Sequence, residues 1–217
     1  SDVCSSDLAF VIAAFQSVVP LWGAALGDIG LMAVGGRAAI AQAVALLIAF
    51  AALTHGFVTS DFSLAVVFQN SHSLKPMLYK VSGVWGNHEG SMLLWVLILA
   101  LFGAAIALFG RNLPHELRAR VLAVQDMIGL AFLLFILATS NPFLRVDPAP
   151  IDGRGLNPIL QDPGLAFHPP FLYLGYVGFS VAFAFAVAAL IEGRVDAAWA
   201  RWVRRSEEHT SELQSPC

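Results

Sequence analysis

The chain has 217 residues, 58% of them hydrophobic and 12% charged, with a formal net charge of −3. Soluble domains carry about 25% charged residues, so this composition excludes an ordinary water-soluble globule and points to a membrane. The near balance of charge leaves no polybasic footprint, which excludes nucleic acid as a partner.

The two ends are read separately. SDVCSSDL, residues Ser1–Leu8, and RSEEHTSE, residues Arg205–Glu212, are what one sequencing adapter encodes when translated in opposite directions. Residues 1–8 and 205–217 are therefore excluded from fold reasoning as an adapter artefact. Ala9–Arg204 is then expected to be an internal fragment of a longer protein. Both cysteines, Cys4 and Cys217, fall in the excluded ends. The remainder, with 11 basic and 10 acidic residues, offers no disulfide, thiolate ligand or Cys nucleophile. It contains no Cys-x-x-Cys-His, so it is not itself a c-type cytochrome.

Five apolar runs follow in chain order. Ala9–Leu26 is interrupted by Pro20, where a kink is expected. Ala38–Val58, Ser91–Phe109, Val121–Thr139 and Phe171–Ile191 come next. A span needs about 20 apolar residues at about 1.5 Å each. The pattern predicts an all-α, polytopic integral membrane protein of about five transmembrane helices, with two long amphipathic outward loops. Asp126, near the start of the fourth run, is close enough to the rim to reach water or Arg120, although an intramembrane carboxylate is a functional candidate by default.

Basic residues set the orientation. The short connections Gly27–Arg37 and Gly110–Arg120, with the tail after Glu192, carry Arg37, Arg111, Arg118, Arg120, Arg194, Arg201 and Arg204. The long connections Thr59–Gly90 and Ser140–Pro170 carry only Lys75, Lys80, Arg145 and Arg154. The positive-inside rule puts the short set in the cytoplasm and the long loops outside, which is the periplasm if the source is Gram-negative. The tail AAWARWVRR reads as a helix end on the cytoplasmic surface.

The long loops contain Phe62, Phe68, Tyr79, Trp85, Phe143, Leu156 and Ile159, so they are expected to fold onto the membrane surface as short helices and turns. In WGNHEGSMLLW, Trp85 suits the interfacial belt and Gly86 permits a tight turn. Ser91 is a plausible N-cap of the third span, with Glu89 near the positive end of its dipole. His88 and Glu89 are neighbouring ionisable groups at the outer rim. His72 is expected to be solvated and His115 to start a helix.

The stretch QDPGLAFHPPFLYLGYVG raises the sharpest question. A residue before proline is pushed out of the α region, so His168 is expected to be extended, just ahead of the fifth span. Asp162-Pro163-Gly164 reads as a turn that folds the segment back. Held this way, the imidazole could be an axial haem ligand, a proton carrier or a capping group. Tyr173 and Tyr176, three apart, could flank a ligand or anchor the interface.

WGNHEGS, TSNPF at Thr139–Phe143 and, above all, DGRGLNPILQDPGLAFHPPFLYLGYVG resemble the cytochrome c maturation haem lyase family, CcmF/CycK. The similarity covers essentially all of Ala9–Arg204, including PLWGAALGD and RVLAV. It implies a membrane subunit that takes haem from a periplasmic haem chaperone. Such a subunit promotes thioether attachment of that haem to the Cys-x-x-Cys-His of an apocytochrome c, working with its thiol-reducing partners. It further implies that His168, and no other residue of this chain, is an axial ligand to the haem iron in transit; Trp85, His88, Glu89 and Tyr173 are candidate cofactor-binding residues by their place in the outward motifs. A second outward histidine, a tryptophan-rich platform and the permanent haem b site are implied downstream, so the fragment alone is not expected to catalyse. The alternatives are a non-enzymatic haem export or delivery protein and a nitrite-reductase-specific haem lyase.

Overall fold

The computed structural model describes residues 2–193, with side chains from residue 7 onward. Among the described residues seven α-helices are formed: α1 Asp2–Leu26, α2 Ile29–Thr59, α3 Ala65–Asn70, α4 Met77–Ser82, α5 His88–Phe109, α6 His115–Thr139 and α7 Pro163–Glu192. Five of them are long and apolar enough to cross a membrane: α1 from Asp7 onward, α2, α5, α6 and α7. The chain is a polytopic, all-helical membrane protein, as its apolar runs imply. The tail containing Arg194, Trp199, Arg201, Trp202 and Arg204 lies outside the described residues.

The helices start earlier than the apolar runs suggest. Gly27–Arg37 is not a loop: only Gly27 and Asp28 separate α1 from α2. Gly27 adopts a φ of +69°, and the Asp28 carboxylate caps α2 by accepting from the Gly30 amide at 2.8 Å. The glycines at the start of α2 serve close packing rather than a turn. A Cβ on Gly35 would lie 2.9 Å from Cγ of Pro20, so the proline in α1 fits against a helix with no side chain there. α1 runs through Pro20 as one helix. His115, as expected, is the first residue of α6, which follows a 3-10 turn at Gly110–Asn112.

α6 is the central rod, packed against α1, α2, α5 and α7. Its second turn carries Arg120, whose guanidinium lies 3.7 Å from Glu116 and 3.3 Å from Glu192 at the end of α7. Arg120 is therefore paired with glutamates rather than with Asp126. Asp126 is 4% exposed, and its Oδ2 has no hydrogen-bond partner among the described residues. Gln16 on α1 is equally buried and unpaired, while the neighbouring Gln125 amide donates to the Ser180 hydroxyl of α7 at 2.9 Å. A buried layer of polar side chains thus crosses an otherwise apolar bundle.

Both long connections lie at the opposite end from Arg120, and they fold together. Leu64 and Arg145 form an antiparallel bridge, reinforced by bonds from Ala65 N to Leu144 O and from Val146 N to Ser63 O, each 2.8 Å. Asp152 accepts from the Ser73 amide at 3.0 Å and from its hydroxyl at 2.7 Å. These bonds hold the Asp152 carboxyl down at about 2. His72 is not simply solvated: its Nδ1 accepts from the Leu74 amide at 3.2 Å, and its Nε2 is 3.5 Å from Asp152. The Arg154 guanidinium lies 5.1 Å from the centre of the Phe68 ring. Phe62, Phe143 and Leu156 are buried, and α3 and α4 are short helices, so the loops form a folded cap as their aromatic content implies.

Candidate functional site

The site is built where α5 and α7 begin, under the loop cap. α5 starts three residues earlier than Ser91, with Asn87 as its N-cap. The Asn87 Oδ1 accepts from the Gly90 amide at 2.8 Å, and its Nδ2 donates to the carbonyls of Gly83 at 2.7 Å and Val84 at 3.1 Å. Asn87 is preferred over Ser91 because it serves the helix start and the preceding turn together. Gly90 must be glycine: a Cβ there would collide with the Val84 carbonyl oxygen. Ser91 lies inside the helix, its hydroxyl donating to the His88 carbonyl at 2.9 Å.

α7 begins at Pro163, capped by the Asp162 carboxylate, which accepts from the Leu165 amide at 3.1 Å. Asp162-Pro163-Gly164 is therefore a helix start with proline in its favoured first position, not a fold-back turn. His168 is correspondingly helical, not extended. The steric bias that proline imposes on its predecessor is outweighed here by a helix already nucleated five residues upstream. The two following prolines remove two amide donors, which frees the carbonyls of Leu165 and Ala166. The Ala166 carbonyl is satisfied from outside the helix: the Trp85 indole N–H donates to it at 2.7 Å.

A cleft of about 310 Å³ lies between these helix starts. Trp85, His88 and Tyr173 line it, with Leu156 and Leu160 from the second loop. The buried Ser82 hydroxyl, which has no partner among the described residues, lines it too. The structure thus brings three of the sequence-derived candidates together. His88 Nε2 is 3.0 Å from the Ser140 hydroxyl, and its ring meets Phe135 edge-on at 6.2 Å. Glu89 is in the first turn of α5 but does not line the cleft.

His168 stands beside the cleft rather than in it. Helical residues follow each other at about 100°, so His168 leaves α7 roughly a third of a turn from the stripe containing Pro169 and Tyr173. Its side chain is exposed and makes no hydrogen bond to any described residue. It lies three residues before Phe171, about 4.5 Å above the start of the apolar run. Exposed Phe167, Phe171, Leu172 and Tyr176 surround it on α7. Among the described residues, no three His, Cys, Asp or Glu side chains converge to hold a bare metal ion.

Fold and rim together define a multi-pass membrane protein that presents a free imidazole and an aromatic cleft at one membrane face. The family model described as "Cytochrome C assembly protein" matches residues 85–214, so the chain belongs to that family. It is 72% identical over 197 residues to the cytochrome c-type biogenesis protein ccl1 of Rhodobacter capsulatus, covering 91% of this chain and 30% of that one. It is 65% identical over 197 residues to the cytochrome c-type biogenesis protein CycK of Bradyrhizobium diazoefficiens, with the same coverage. Among solved structures, the cytochrome c heme lyase CcmF superposes with a TM-score of 0.81 at 26% identity, covering 94% of this chain and 32% of that one. The chain therefore spans about a third or less of the length of these relatives.

Proposed function

We propose that the chain is the haem-receiving membrane region of a cytochrome c haem lyase. In this reading His168 is an axial ligand to the iron of a haem in transit. The observation that carries it is the exposed, unbonded imidazole of His168 at the start of α7. A lone histidine holds a bare ion poorly, yet it suits an iron whose four equatorial positions are filled by a porphyrin. The flat macrocycle finds apolar neighbours in Phe167, Phe171 and Leu172, and the cleft beside it offers His88, Trp85 and Tyr173. Glu89 stays at the edge of this surface, near the α5 dipole.

The haem is the cargo, supplied by a periplasmic haem chaperone. The acceptor is the Cys-x-x-Cys-His of an apocytochrome c, kept reduced by its own partners. The chain's contribution is to fix one face of the iron, so that the two vinyl groups meet two thiols in one orientation. The loop cap then faces the periplasm of a bacterial inner membrane, consistent with Arg37, Arg111, Arg118 and Arg120 lying at the other end. The second axial ligand, the permanent haem b and the covalent step belong to the longer protein.

The test is His168→Ala in the complete protein. Loss of stable retention of chaperone-delivered haem, with normal membrane insertion, is the expected result. Unchanged haem retention and unchanged holocytochrome yield would overturn the reading.

A further inference from the structure

Trp85 and His168 are connected through a single carbonyl. Pro170 has no amide hydrogen, so the Ala166 carbonyl, four residues earlier, receives no bond from within α7. Ala166 is 3% exposed, so water does not readily replace that bond. The indole N–H of Trp85 supplies it at 2.7 Å, across 81 residues of sequence. Trp85 is itself held. It directly precedes the turn that Asn87 ties to the carbonyls of Gly83 and Val84, and Gly86 N bonds to Ser82 O at 2.9 Å. The bonded carbonyl is two residues from His168. Pro169 and Pro170 remove two hydrogen bonds between the first two turns of α7, and the indole is an outside donor to one of the two carbonyls they free.

We infer that Trp85 is a positioning residue for His168: its indole N–H replaces the helical donor deleted by Pro170 and fixes the heading of the His168 ring. This goes beyond, and rests on, the assignment of His168 as the haem ligand. It differs from the plain sequence expectation for Trp85, which treats the ring as an interfacial anchor or a direct haem contact. An anchor or a stacking platform needs the aromatic face. A positioning residue needs the N–H.

The experiment uses the complete protein in its membrane. Trp85→Phe keeps an aromatic ring and removes the donor. The expected result is a threefold to tenfold loss of chaperone-delivered haem capture, about what one lost hydrogen bond to a buried acceptor gives. The low-spin absorption of the captured haem should broaden or weaken. The decisive variant is Pro170→Ala, which returns an amide donor to the Ala166 carbonyl. In that background Trp85→Phe should have no further effect on capture. A loss of the same size in both backgrounds, failure to insert in both, or no loss in either while His168→Ala abolishes capture overturns the inference.

A haem-independent readout separates this idea from the one it rests on. The rate of His168 modification by diethyl pyrocarbonate should change in Trp85→Phe and return in the double variant. If that pattern appears while His168→Ala leaves haem capture intact, the ligand assignment fails and the coupling stands. If His168→Ala abolishes capture but the modification rate ignores Trp85, the coupling fails alone.

Discussion

Two helices begin at the same membrane face, and they begin differently. α5 starts abruptly: Asn87 ties its first turn to the preceding loop with three hydrogen bonds, and Gly90 lets the Val84 backbone press against it. α7 starts loosely, with one carboxylate bond from Asp162, followed by two prolines that leave two carbonyls without a donor from within the helix. The tight start supplies the support; the loose one carries the exposed histidine. The exposed imidazole of His168 stands on the helix whose own hydrogen bonds are incomplete, and the rigid neighbour supplies one of the missing donors through Trp85.

Substitutions at three positions and one titration sharpen that contrast. Gly90→Ala should have the largest effect, since the collision is with backbone and cannot be relieved by a rotamer. A loss of about 3 kcal/mol in detergent-denaturation stability is expected. Asn87→Ala should cost about 2 kcal/mol in the same assay, at the upper end for a cap, because three bonds disappear together. Asp162→Ala should cost about 0.5 kcal/mol, and Asp162→Asn should be nearly silent. Equal losses at Asn87 and Asp162 would erase the difference between the two starts.

The smallest effect concerns Lys75, which supports the α5 entrance. Its ammonium donates to the Asn70 carbonyl at 2.9 Å and lies beneath Gly83. Burial, and then the charge of Lys80, lower its pKa from 10.5 to about 8. The fold disfavours the charged form, so that penalty is fully present below pH 8. Stability of the cap should rise as pH increases from about 8 to 10.5, where the unfolded chain binds more protons. Amine labelling followed by peptide mapping should find Lys75 half-reactive near pH 8; half-reactivity near 10.5 would contradict the assignment.

The five spans were legible because an apolar run of that length has little alternative use. Their starting points, His115 of α6 apart, were not. Gly35 and Gly36 look like loop residues until Pro20 is seen packed against the first of them. His168 looks extended because the bias from Pro169 is local, whereas the helix containing it is set by the cap at Asp162. Of the site, the residue types could be read, since Trp85, His88, Tyr173 and His168 stand out in their motifs. Their pairings could not. His88 finds Ser140 at a separation of 52 residues and Trp85 finds Ala166 at 81. Only one hint was available: a proline four residues after Ala166 marks a carbonyl that needs an outside donor.

The Gln125–Ser180 bond described within the bundle has a consequence at the rim. Ser180 is twelve residues along α7 from His168, about 18 Å down the same rod. A rod gripped at two heights cannot spin about its long axis. A roll of roughly 10° would sweep a group at a radius of about 5–6 Å sideways by about 1 Å. The amide in the middle of the membrane and the indole at its surface therefore act as two clamps on one spindle, and the imidazole's compass bearing is set from both.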